Sequence, residues 1–143
     1  MSLSKTNLFS ESFNILKTFI ENNISDPRNR YKSNWIHASM PEINNKGFNG
    51  YPFVLVQLDI NEDEKSFGDN SQKNFRALIS VYSDQATEID TISDSIYSNL
   101  TDSDLSEFKA IELTSSPLNW NMDLKGKKIL WRRISLLARS RIW

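Results

Sequence analysis

Cysteine is absent from the 143 residues, which excludes disulfides, thiolate catalysis and every cysteine-based metal site. Histidine occurs once, at His37, so no multi-histidine metal site exists and no His-x-x-x-His pair. Four glycines leave no glycine-rich phosphate loop, and no G-x-S-x-G nucleophile elbow is present. Long apolar runs are missing: nothing approaches the roughly 18 residues that span a bilayer. The start, "MSLSKTNLFSESF", has no apolar core of a secretory signal, so the chain is expected to act where it is made, without membrane contact. An enzyme is not expected, and no cofactor.

Charge is present but segregated. Net charge is −1, yet the last 20 residues hold seven Lys and Arg and no acid, while the first 123 hold the other 10 basic groups and all 18 acids. Between Asp84 and Glu107 there are seven acids and no base. Such asymmetry marks either an interaction surface or a solvated helix beside a charge-protected edge strand. The acidic "DINEDE" does not have EF-hand spacing and reads as solvated loop charge.

Periodicity gives the elements. "NLFSESFNILKTFIENN" (7–23) predicts a helix burying Phe9, Phe13, Leu16 and Ile20, capped by Asn7 or Thr6 and broken near Pro27. "NWIHAS" (34–39) is a possible short strand. "YPFVLVQLDI" (51–60) predicts a strand covered on both faces. "NEDEKSFGDNSQ" (61–72) is expected as a long hairpin loop, and "KNFRALISVYS" (73–83) as the antiparallel partner, with Phe75, Ala77, Ile79 and Val81 on one face. "DQATEIDTISDSIYSNL" (84–100) predicts a second helix with the stripe Ala86, Ile89, Ile92 or Ser93, Ile96 and Leu100, capped by Asp84 or Thr87. "KAIELTSSP" (109–117) is a strand, and "LNWNMDLKGK" a connection tightened at Gly126. The expected fold is one α+β domain over 1–143: a mostly antiparallel sheet of four to five strands flanked by two main helices on one face.

The final segment, "KKILWRRISLLARSRIW" (127–143), alternates as a two-faced strand. Leu130, Ile134, Leu136, Ala138 and Ile142 form a core face interrupted by Arg132. Arg133, Arg139 and Arg141 lie on the other, with Lys127, Trp131 and Trp143. Arginines interleaved with aromatics can grip single-stranded nucleic acid, but the chain is acidic elsewhere, unlike a dedicated binder.

Taken together, "YPFVLVQL" before a long hairpin, then "FRALISVYSDQATEIDTISDSIYSNL", then "LKGKKILWRRISLLARSR", resemble the tail-terminator (tail-completion) proteins of long-tailed phages and related archaeal viruses, over about residues 8 to 140. The shared motifs are apolar patterns rather than catalytic residues. The resemblance implies a virion protein of the tail or neck, assembled in the host cytoplasm. It implies a ring, usually of six copies, that caps the tail tube and joins it to the head-tail connector. Its partners would be its own subunits, the tail-tube protein and the connector, with double-stranded DNA passing through the lumen unread. A neck or head-completion protein, and a single-stranded nucleic-acid-binding domain, stay open as alternatives.

On that reading the candidate subunit-contact or lumen residues are Arg133, Arg139 and Arg141, with Asp84, Glu88, Asp90 and Asp94 as complementary acids. The candidate loop for contact with tube or connector carries Glu62, Asp63, Glu64, Lys65 and Asp69.

Overall fold

A computed structural model describes residues 8–30, 35–43, 48, 50–62, 71–102 and 109–142. Side chains are described for these residues except 8, 60–62, 71–75, 101–102, 109–111 and 139–142. The elements are α1 (Leu8–Asn23), β1 (Ile36–His37), β2 (Phe53–Glu62), β3 (Ser71–Ser83), α2 (Ala86–Asp102), β4 (Lys109–Ser115), β5 (Asn119–Met122) and β6 (Lys128–Ile142). They form one six-stranded sheet in the order β1-β2-β3-β6-β4, with β5 pairing the start of β6. All pairings are antiparallel except β1 with β2. The expected α+β fold is present. The sheet has one short parallel strand and one strand more than the four to five expected.

Period-two alternation decides which side chains meet. Val54, Val56, Ala77, Ile79, Val81, Ile134, Leu136 and Ala138 form one buried face, and both helices cover it. Helix α2 contributes Ile89, Ile92, Ser93, Ile96 and Leu100, the expected stripe, with Ala86 only half-buried. Each large aliphatic removed from water there stabilises the fold by roughly 1.5–3 kcal/mol. Helix α1 buries Leu16 and Ile20 of the expected set, with Ser12 and Phe19 beside them. Phe13 is half-buried, and Phe9 is 59% exposed because burial begins one turn after it.

The strands differ from expectation in other ways. Strands β2 and β3 run on through Glu62 and from Ser71, register Glu62 with Lys73, and take four residues from the expected 61–72 loop. Coverage of β2 on both faces holds only for Phe53 to Val56; Gln57 and Asp59 are exposed. The expected connection after Pro117 contains β5, whose asparagines have low strand propensity and whose side chains face solvent. Its hairpin to β6 turns where expected, at Gly126 (φ 80°), and Asp123 Oδ1 accepts the Lys125 and Lys127 N–H groups at 2.8 and 2.9 Å.

Helix α2 is entered through Ser83 rather than Asp84 or Thr87. Ser83 Oγ accepts the Gln85 N–H at 3.0 Å and donates to Glu88 Oε1 at 3.2 Å. The buried hydroxyl thereby replaces water for a backbone donor ahead of the first turn.

Candidate functional site

Among the described residues, the sheet face opposite the helices is covered at one end only. Phe53, Tyr82 and Trp131 sit side by side on β2, β3 and β6, because the registers pair Phe53 with Tyr82 and Tyr82 with Trp131. Their rings stack at 4.8 and 6.3 Å between centroids, and Tyr51 stacks on Phe53 at 5.5 Å. Phe48 and His37 meet Phe53 edge-on at 5.9 and 5.7 Å. This row is the floor of a groove of about 600 Å³ between the 40–43 segment and the β5–β6 hairpin. Met40, Met122 and Leu124 wall it and stay 50%, 61% and 77% exposed. Contiguous exposed apolar side chains around a rigid aromatic floor mark a docking surface more than a solvated one.

Polar groups brace one side of the groove. Tyr51 hydroxyl donates to Asp123 Oδ2 at 3.3 Å, and the Lys127 ammonium lies 5.9 Å from the Tyr51 ring centre. Lys127 Nζ also pairs with Asp84 Oδ2 at 2.7 Å, and Arg28 lies 3.8 Å from Asp84 Oδ1. Burial, and then the Asp123 carboxylate, push the Tyr51 hydroxyl far above its ordinary pKa. The hydrogen bond from Lys127 outweighs burial and holds Asp84 below its usual range. Backbone N–H groups of Lys127 and Lys125 do the same for Asp123. The tyrosine is thus a fixed donor and the two acids are fixed anions at neutral pH.

The acids expected to meet a neighbour are in large part engaged within the chain. Asp84 holds Lys127, Glu88 accepts from Ser83, and Asp90 Oδ1 takes Arg132 Nη1 at 2.6 Å. Asp94 is exposed beside a shallow recess with Tyr97 and Arg132. Arg133 lies along the sheet: Nε donates to Ser80 Oγ at 3.1 Å, and its guanidinium is 5.3 Å from the Trp131 ring centre. With Trp131 stacked on Tyr82, that aromatic–arginine pair is built into the sheet.

Arg139 and Arg141 occupy β6 positions opposite Asn74 and Gln72; their side chains lie outside the described residues. Glu62 ends β2, and Asp63, Glu64, Lys65, Asp69 and Trp143 lie outside the described residues. Among the described residues no group of three or more His, Asp or Glu could hold a metal, and no helix is long and apolar enough to cross a membrane.

Sequence reasoning did not find the groove. Its one signal was aromatic side chains at alternate positions, Tyr51 and Phe53, and Trp131 on the last strand. Their convergence depends on the register of strands far apart in the chain.

No family model and no curated protein matches the chain. Among solved structures it is similar to a chain described as "Virion of native gene transfer agent (GTA) particle". The two share 17% identity over 85% of this chain and 90% of that one, with a TM-score of 0.45.

Proposed function

We propose that the protein is a tail terminator, a structural adaptor that forms a ring on the end of a viral tail tube and offers the surface for the head-tail connector. DNA passes through the ring without sequence readout. The observation that carries the reading is the groove with exposed Met40, Met122 and Leu124 above the Tyr51–Phe53–Tyr82–Trp131 row. It is a preformed apolar surface with a rigid aromatic floor, the kind that protein partners use as an anchor. The near whole-chain resemblance of the strand–hairpin–strand–helix–strand pattern to tail terminators supports this choice of machine.

The test is direct. Tail tubes assembled without their terminator are incubated with the purified protein and imaged in negative stain. Rings at one tube end, and tubes that stop growing, are the expected result. Folded protein that leaves tube ends bare and growing overturns the reading, and binding to the connector alone would assign it to the neck.

A further inference from the structure

The sheet has two open edges, and they match. On one side β1 covers β2 only at Val54 and Leu55; among the described residues nothing pairs with 56–62 on that edge. On the other side the outer edge of β4 is likewise without a strand among the described residues. The registers place these edges at one level. One row runs Val56–Ile79–Ile134–Ser115, and the next but one runs Leu58–Ala77–Leu136–Leu113. Because β2–β3, β3–β6 and β6–β4 are all antiparallel, β2 and β4 also run in opposite directions.

The hydrogen-bonding groups match as well. Val54 N donates outward to Trp35 O, so alternation points the N–H and C=O of Val56, Leu58 and Ile60 at the open edge. Ser116 N donates inward to Arg133 O, so Leu113 and Ser115 point outward. The Leu113 carbonyl takes the Tyr97 hydroxyl at 3.2 Å and keeps a second lone pair for a strand.

We infer that the subunits of this protein join edge to edge, β4 of one copy adding to β2 of the next at the same level. The inference deepens the ring reading above and rests on it. Val56 then faces Ser115 and Leu58 faces Leu113 as hydrogen-bonded pairs, and Gln57 faces Thr114 as the close, non-hydrogen-bonded pair between them. Leu58 and Leu113 are both half-buried at opposite margins of the same core, so the contact closes one apolar row between copies. The two edges are different surfaces, so the contact is head to tail, and matched level lets it close as a ring rather than climb as a helix. Asp59 then faces Glu112, a like-charge pair that weakens the contact.

The chain has no cysteine, which makes the test clean. Gln57 and Thr114 are both exposed. The double variant Gln57→Cys with Thr114→Cys is oxidised under assembly conditions and run on a non-reducing gel. A ladder of covalent oligomers that collapses on reduction is expected, with no ladder from either single variant. Absence of a ladder while light scattering shows wild-type rings overturns the edge contact and leaves the ring intact. Wild-type protein that stays monomeric even on tube ends overturns both. A second variant, Glu112→Lys, changes an exposed side chain and should tighten self-association about twofold to fivefold per contact. An unchanged or weaker association overturns the register.

Discussion

Arg30 joins three separate points of the chain through one guanidinium. Its Nε and Nη2 bind both oxygens of Asp26 at 2.9 and 3.0 Å, Nη1 donates to Gly50 O at 3.0 Å, and Nη2 also donates to Pro52 O. The Arg30 and Asp26 side chains are 13% and 7% exposed, so the pair is screened little by salt. The planar fork ties the segment after α1 to the turn that starts β2. Arg30→Met leaves the part-buried Asp26 carboxylate with only the Arg28 and Arg30 backbone N–H groups, so it should lower stability by about 1–3 kcal/mol in urea denaturation. Arg30→Lys should recover little of it, since an ammonium cannot reproduce the fork. The same pair sets an acid limb. Burial opposes ionisation of Asp26, but Arg30 and the Arg28 and Arg30 backbone N–H groups prevail and hold its pKa below the ordinary 3.8. A folded pKa below the unfolded one stabilises the protein above pH of about 4, and that contribution is lost as pH falls through the folded value. Urea midpoints should therefore drop between pH 5 and pH 3 at fixed salt, and Asp26→Asn should be less stable at neutral pH with a flatter acid limb.

At the scale of elements, the β5–β6 hairpin is open to a single backbone change. Gly126 holds φ of 80°, and a Cβ there would meet no atom within 4 Å. Gly126→Ala should therefore cost roughly 1–2 kcal/mol from the left-handed backbone alone, measurable as a lower thermal midpoint with no loss of fold. The hairpin also shows where sequence reading reached its limit. In residues 77–82 and 130–138 the core face follows from period two, although Arg132 interrupts it. In α2 the isoleucines at 89, 92 and 96 name the buried stripe directly. Strand β5 shows no such signal, because Asn119 and Asn121 are poor strand formers and the strand exists only through its pairing with β6. The start of α1 misleads for a different reason: Phe9 fits the helical stripe, but no part of the core lies beneath that first turn. The expected acid–base complementarity was legible as charge, yet Asp84 and Asp90 spend it on Lys127 and Arg132 of their own chain. Nothing in a linear pattern tells a partner within the chain from one outside it.

For the whole molecule, one sheet face is given to the core, and the other carries the open groove. Met122 and Leu124 contribute little to the fold at 61% and 77% exposure. Met122→Glu with Leu124→Glu should shift stability by no more than about 0.5 kcal/mol per site, and should abolish attachment to tail tubes in a pull-down. Attachment that survives both charges would place the contact elsewhere. The position of β6 carries a further consequence. It is the last of the strands in chain order, yet it lies inside the sheet, between β3 and both β5 and β4. During synthesis β3 is complete at Ser83, but its second neighbour does not begin until Lys128. Until then the nascent chain has half a sheet, and β4 has nothing to lie against. A ribosome that stops early thus releases a fragment whose β4 has no strand to pair with. Completion of the fold is tied to strand order: only a chain translated through β6 can close this sheet.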